Sequence, residues 1–151
     1  MIVAAAGRPD SWDLPLFLHV LGAMTLVGGM IAVTVLAFAA GRAPQHALLA
    51  RATLWTSLVV VVPAWIVMRA TAEWIYSREG YNGNGDPSWV GVGFAVSDAG
   101  LLVLLLTAGL SFWWSRRGGE GWQGGALRAI GVLYLVALAF AWFVMAAKPG
   151  L

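Results

Sequence analysis

The chain has 151 residues, of which 60% are hydrophobic and 11% are charged, with a formal net charge of +2 and no cysteine. A soluble domain averages about 45–50% apolar and about 25% charged residues, so this composition excludes an ordinary soluble domain and indicates membrane spans. The small net charge gives no basis for nucleic-acid binding. The lack of cysteine excludes disulfides, thiolate nucleophiles and thiolate metal ligands.

Four apolar segments are long enough to cross a bilayer, which takes about 20 predominantly apolar residues. In chain order they are expected over about residues 14–40, 48–75, 92–114 and 126–147. We therefore predict an all-α fold, an antiparallel four-helix transmembrane bundle that forms a single domain over residues 1–151. A signal peptide is a poorer interpretation of the first segment, because Asp10 and Asp13 precede the apolar run and the run is too long.

Basic residues are more frequent beside the two short connections, which carry Arg42, Arg51, Arg116, Arg117 and Arg128. The opposite ends of the spans carry Arg8, Arg78 and Lys148, together with Asp10, Asp13, Glu79 and Asp86. Since Lys and Arg accumulate on the cytoplasmic side, we expect both termini outside, in the inner (plasma) membrane of a bacterial cell. Tryptophans near both ends of the spans, including Trp114 at the inner end, fit two aromatic belts.

Apart from Arg51 and Arg128 at the inner ends, ionisable residues within the predicted spans share one depth, in the outer half of the bundle. His19 lies near the outer end of the first span, Arg69 and Glu73 lie one turn apart on the second, and Asp98 belongs to the third. Trp65 continues the face of Arg69 one turn further in. Because ionisable residues inside spans are costly and usually mark a site, we predict that these five residues form a charge network or a ligand-binding site.

The same charges have structural interpretations that the sequence leaves open. Arg69 is about two turns from the end of its span and could snorkel to the interface beside an i,i+4 partner. Asp98 could follow Ser97 as N-cap, in the first turn of a helix, where its charge favours the helix dipole. If the third span instead begins near Trp89, Asp98 is buried and needs Arg69 or His19 as its partner.

Small residues accompany His19 on the first span, where His19, Gly22, Leu26 and Gly29 form one stripe. Small residues on a membrane helix let another backbone or a flat ligand approach closely, so His19 is expected to face the bundle interior. On the second span, Pro63 is expected to kink the helix and to open space beside the charged layer.

His19 could act as a haem axial ligand or as a proton carrier. Met68 and Met145 lie at a suitable depth for a second axial ligand, although methionine more often fills gaps in a core. His46 falls at the opposite side of the membrane, so one chain cannot give one haem two histidine ligands. A metal site is not expected, because Arg69 among the candidate ligands would repel a cation.

The stretch "LFLHVLGAMTLVGG", Leu16 to Gly29, resembles the first helix of several small bacterial four-helix membrane proteins. These are the copper-resistance D-like families and the HemJ-type protoporphyrinogen oxidases, which often show an LHxxGA pattern. In the HemJ-type proteins the first-helix histidine is understood to serve haem binding. The resemblance assigns that role to His19, and it covers only residues 16–29.

Three functions follow as hypotheses. The first is a non-enzymatic integral membrane protein, an accessory subunit or small-ligand binder, with lipid and a homo-oligomer or larger membrane complex as partners. The second is a membrane redox protein that holds haem b or a quinone near His19, with Arg69 pairing a propionate or a carbonyl. The third is a proton or ion pathway through His19, Glu73 and Asp98. No catalytic residue can be assigned from the sequence.

Overall fold

A computed structural model describes residues 13–81 and 86–147, and this part of the chain is helical apart from short connections, with no strand. Its elements are α1 (Asp13–Ala40), α2 (His46–Arg78), α3 (Ser88–Arg116) and α4 (Gln123–Ala147). All are long and apolar enough to cross a membrane, which confirms the prediction of four apolar spans and agrees with a multi-pass membrane protein. The predicted outer charges Arg8, Asp10 and Lys148 lie outside the described residues.

Each helix begins before its predicted span, and α2 and α3 also end after theirs, because helical structure continues into the polar residues at these ends. The largest difference at a start is in α3, which begins at Ser88 after the extended backbone of Pro87. Residues 88–97 therefore precede Asp98 in the same helix. The interpretation of Ser97 as an N-cap is wrong, and the alternative start near Trp89 is correct.

Helix α2 consists of an α-helical segment, His46–Thr56, a π turn, Ser57–Val61, and a second α-helical segment, Val62–Arg78. The π turn lies directly before Pro63. Proline lacks an N–H group, and its ring conflicts with the carbonyl group four residues earlier, here that of Val59. The wider π turn accommodates this conflict, so the irregularity expected at Pro63 occurs in the turn that precedes it.

Helix α1 packs along both α2 and α4 and supplies the centre of the core. Leu26, Met30 and Val33 of α1 are fully buried. A Cβ atom added at Gly22 would lie 2.8 Å from the backbone nitrogen of Met68, and Gly22 is therefore covered directly by the backbone of α2. The small-residue stripe of α1 thus faces the bundle interior as predicted, and at Gly22 it receives a helix backbone rather than a flat ligand.

The two short connections lie at the same end of the bundle, because Gly119 approaches the carbonyl oxygen of His46. We call this the short-loop end, and we call the opposite end, where α2 and α3 are joined by residues 79–87, the long-loop end. Large apolar side chains cover the outside of the bundle, and Met24, Leu133 and Trp142 are each at least 70% exposed. This surface suits contact with lipid chains.

One expected aromatic belt residue belongs to the core. Trp114 was expected at the inner interface, but it is 2% exposed and packs against Gly124 at the start of α4. Trp55 and Trp122 remain more than 60% exposed, as expected for interfacial tryptophans. Trp114 is buried because a glycine opposite it leaves space for the indole ring.

The packing between α2 and α3 differs along their length. The first segment of α2, His46–Thr56, packs closely against α3, whereas the second segment, Val62–Arg78, makes few close backbone approaches to it. At the long-loop end, side chains rather than backbones therefore connect these two helices.

Candidate site at the long-loop end

Arg69 joins α2 to α3 through two carboxylates. Its Nη1 donates to Glu73 Oε2 at 2.7 Å, and its Nε donates to Asp98 Oδ1 at 2.9 Å. The guanidinium carbon also lies 4.6 Å from the centroid of the Phe94 ring, a cation–π contact. We call Arg69, Glu73 and Asp98 the charge cluster.

A snorkelling arginine extends its side chain towards the membrane interface, so the direction of the Arg69 side chain tests that interpretation. At 1.5 Å per residue, Arg69 lies about 14 Å from the end of α2, and Asp98 lies about 15 Å from the start of α3. The ion pair between Arg69 and Asp98 is therefore lateral, between two helices at a similar depth. The contacts of Arg69 with Glu73 and Phe94 lie one turn nearer the helix ends, so the guanidinium also extends towards the long-loop end, as in a snorkelling arginine.

The charge cluster is open on one side. The Arg69 side chain is 24% exposed, whereas the Glu73 and Asp98 side chains are 59% and 60% exposed. Asp98 is therefore not buried, which corrects the expectation attached to an early start of α3, and its partner is Arg69 rather than His19. Asp98 is exposed because it lies on the surface of α3 rather than in the core. Arg69 of α2 reaches it there across the gap between the two helices.

Trp65 makes the second connection across this gap. Its indole Nε1 donates to the backbone carbonyl oxygen of Ser97 at 3.0 Å. Trp65 and Arg69, one turn apart on α2, thus bind adjacent residues of α3. The structure brings together Trp65, Arg69, Glu73 and Asp98, four of the five residues of the predicted site.

Aromatic side chains lie between the charge cluster and the long connection. Tyr76 packs edge-on to Phe94 with ring centroids 5.2 Å apart, and Tyr81 lies 5.7 Å from Tyr76. The Tyr76 hydroxyl donates to Asp86 at 2.5 Å. Desolvation and the nearby carboxylates of Glu79 and Asp86 raise the pKa of the Tyr81 hydroxyl above its ordinary value.

Sequence reasoning missed Phe94 as a partner of Arg69. Phe94 lies one turn before Asp98 on α3, so the two residues share a helical face. The predicted span of residues 92–114 already contains both residues, so their spacing was a signal that the sequence offered.

His19 of α1 contacts a different face of α2 from the one that carries Arg69 and Glu73. Its Nδ1 is 3.0 Å from the carbonyl oxygen of Met68, so Nδ1 carries the proton and Nε2 is the basic nitrogen of the neutral ring. Met68 and Arg69 are adjacent, yet Met68 faces α1 and Arg69 faces α3. Within the described residues no hydrogen bond or ion pair joins His19 to the charge cluster, and the predicted five-residue network separates into two parts.

The predicted haem ligands do not form a haem site. Met68 is 9% exposed and belongs to the hydrophobic core, and Met145 packs against Gly93 of α3. The α1 face beside His19 is filled by the α2 backbone at Gly22. Two grooves on the described surface, of about 530 and 380 Å³, are lined by other residues. These residues, as packed, do not fit a haem.

The described residues also offer no metal centre. Within residues 13–81 and 86–147, no group of three or more His, Asp or Glu side chains lies close enough to hold a metal ion. The charge cluster contains only two carboxylates, and Arg69 already lies between them.

Comparison with protein-family models, with curated proteins and with solved structures finds no match for this chain. The similarity of residues 16–29 to the copper-resistance D-like and HemJ-type families therefore stays a prediction. The class that the fold defines is that of a protein with four apolar helices able to span a membrane.

Proposed function

We propose that this chain is a non-enzymatic integral membrane protein, an accessory subunit of a larger membrane assembly, and that the charge cluster is its functional feature. The observation that carries this proposal is Arg69, which pairs with carboxylates on two helices and leaves both more than half exposed on one flank. Ionisable residues within spans are costly and are usually kept for a site. Ion pairing of this kind suits recognition between membrane helices.

We further propose an antiparallel bundle with both termini outside, in the inner (plasma) membrane of a bacterial cell. The contacts of Gly22 with Met68 and of Gly29 with Val61 support it, because these pairs occur in opposite chain order on α1 and α2. Arg42, Arg116 and Arg117 all belong to the short-loop end, which favours that end as cytoplasmic. The charge cluster then lies in the outer half of the membrane.

The test is isolation of the tagged full chain from its native membranes, at native expression level, in a mild detergent. The expected result is a complex of fixed stoichiometry, clearly larger than the 16.0 kDa chain, that survives native electrophoresis. Cross-linking in intact membranes before extraction controls for dissociation by detergent. A chain that runs as a monomer after both treatments would rule out the accessory-subunit role.

A redox protein is the second candidate, and one observation favours it. The hydrogen bond from His19 Nδ1 to the Met68 carbonyl makes Nε2 the nitrogen that a neutral ring would offer to a metal. The close packing of α1 on α2 at Gly22 weighs against it. Detergent-purified protein from cells supplied with haem precursor is expected to be colourless, and a Soret band that disappears in His19→Ala would favour the redox role instead.

The ion pathway is the third candidate. It requires His19 to act together with Glu73 and Asp98. His19 of α1, however, bonds to Met68, which faces α1, whereas both carboxylates pair with Arg69, which faces α3. A proton flux into liposomes that is lost in both Glu73→Gln and Asp98→Asn would favour the pathway over the accessory role.

A further inference from the structure

With α3 centred in a bilayer, its length places Asp98 within the depth of the hydrocarbon core. Helix α3 has 29 residues, which gives a length of about 43 Å at 1.5 Å per residue. A hydrocarbon core is about 30 Å thick, so α3 extends about 7 Å beyond it at each end if it is centred. Asp98 then lies about 8 Å inside the hydrocarbon boundary, where an exposed charge is costly.

Arg69 supplies only part of the positive charge and of the hydrogen bonds that the two carboxylates of the charge cluster can accept. The three side chains carry one positive and two negative charges, a net charge of −1. Each carboxylate accepts from Arg69 through one oxygen atom. In the described structure the other oxygens, Glu73 Oε1 and Asp98 Oδ2, accept no hydrogen bond. The cluster therefore offers acceptors and negative charge to whatever covers it.

The surface beside Asp98 is shaped for a close helix approach. Gly91 and Ala95 precede Asp98 at helical spacing on α3, and both are exposed. A Cβ atom added at Gly91 would meet no atom within 4 Å. Small residues at such spacing let another membrane helix come near enough for polar contacts. We call Glu73, Gly91, Ala95 and Asp98 the α2–α3 flank.

The charge of the α2–α3 flank distinguishes between possible occupants. A two-fold interface between copies of this chain would place the same patch on both sides, so a net charge of −1 would face another −1. Lipid chains carry no charge that could neutralise the carboxylates. A basic side chain on a helix of another protein supplies both the missing donors and the missing positive charge.

We infer that the α2–α3 flank binds a transmembrane helix of a different protein, one that carries a Lys or Arg side chain at the depth of Asp98. This inference rests on the proposed role as an accessory subunit, because it names the chemistry of the partner at that site. The incoming cation pairs with Asp98 and Glu73 on the side opposite Arg69.

The test uses the full chain reconstituted in liposomes with synthetic single-span peptides. Two Leu/Ala-rich peptides differ at one position only, at the depth of Asp98, where one carries Lys and the other Leu. Energy transfer between labelled peptide and labelled protein measures association. The Lys peptide is expected to bind about tenfold or more tightly than the Leu peptide, the ratio given by about 1.4 kcal/mol.

Three variants assign the binding to the flank. Asp98→Asn is expected to reduce binding of the Lys peptide to the level of the Leu peptide, whereas Glu79→Gln, outside the spans, is expected to leave it unchanged. Gly91→Leu fills open space, so it is expected to weaken binding while the protein still folds. If Asp98→Asn destabilises the bundle, Gly91→Leu still tests whether the peptide binds at the flank.

Equal binding of the two peptides to the unchanged protein would overturn the inference. Self-association of labelled copies of the chain would also overturn the inference if Gly91→Leu abolishes it, because the flank would then bind a second copy. A native complex that persists in Asp98→Asn would preserve the accessory-subunit role and contradict this inference. If the chain forms no complex in native membranes, the accessory-subunit role is wrong. The peptide experiment would still show whether the flank binds a basic helix.

Discussion

Arg69 pairs with Glu73 on its own helix and with Asp98 on the next one. An exposed i,i+4 pair contributes about 0.3–0.5 kcal/mol to stability. The pair with Asp98 has a second effect, because it connects α2 to α3 where their backbones approach little. Its loss would also leave Asp98 within the membrane without a cation. The interhelical pair therefore matters more than the intrahelical one.

Replacement of Arg69 by leucine is expected to lower the free energy of unfolding by about 1.5–3 kcal/mol, the range for hydrogen bonds to charged groups. Arg78→Leu is the matched control, since Arg78 is also on α2 but lies at its end, over the Trp74 ring. The expected loss for Arg78→Leu is smaller. Thermal unfolding in detergent, followed by circular dichroism, measures both. Equal losses would mean that Arg69 only snorkels to the interface.

At the level of the helices, stability depends on close approach at glycines. Gly22 faces the backbone of Met68. A Cβ atom added at Gly22 would lie 2.8 Å from the Met68 nitrogen and 3.1 Å from the Ala64 carbonyl oxygen. Backbone atoms cannot rotate away as a side chain can. Gly28, on the same helix, would meet no atom within 4 Å.

Gly22→Ala is therefore expected to destabilise the protein by about 1–3 kcal/mol, as overpacking does. Gly28→Ala is expected to be neutral or slightly stabilising, because alanine favours helices by about 1 kcal/mol relative to glycine. Denaturant titration of the two variants in the same detergent measures the difference. A loss in Gly28→Ala equal to that in Gly22→Ala would show that α1 does not pack on α2 at Gly22.

The sequence predicted the helices well because each span is long and continuously apolar. It predicted the start of α3 poorly, because "SWVGVGFAVSD" combines glycines and polar residues with apolar ones, and hydropathy changes gradually there. The start after Pro87 depends on backbone conformation, which composition does not encode. The approximate position of a residue along its span was thus predictable, whereas the residue at which a helix begins was not.

The candidate site was predicted in part for a related reason. Counting residues from the ends of the spans gave the shared depth of His19, Arg69 and Asp98. It could not give the angular order of the helices, and so it could not show that Met68 faces α1 while Arg69 faces α3. The separation of His19 from the charge cluster is a property of helix arrangement that one sequence leaves undetermined.

For the whole molecule, the position of the charge cluster in the membrane depends on orientation. The chain contains no cysteine, so single cysteines can report the exposure of either end. Glu79→Cys marks the long-loop end and Glu120→Cys marks the short-loop end, in the connections that follow α2 and α3.

With both termini outside, a membrane-impermeant maleimide is expected to label Glu79→Cys in intact cells. Glu120→Cys should react only after permeabilisation. The cysteine-free protein controls for background. The reverse labelling pattern would invert the bundle and place the charge cluster in the cytoplasmic half of the membrane.

The most direct test of the charge cluster is a double-mutant cycle for Arg69 and Asp98. Unfolding free energies are measured for Arg69→Leu, Asp98→Asn, the double variant and the unchanged chain in one detergent. The expected coupling is about 1 kcal/mol or more, because contacting residues deviate from additivity by about 0.5–3 kcal/mol. Additivity within about 0.3–0.5 kcal/mol would contradict a bond between these two side chains across α2 and α3.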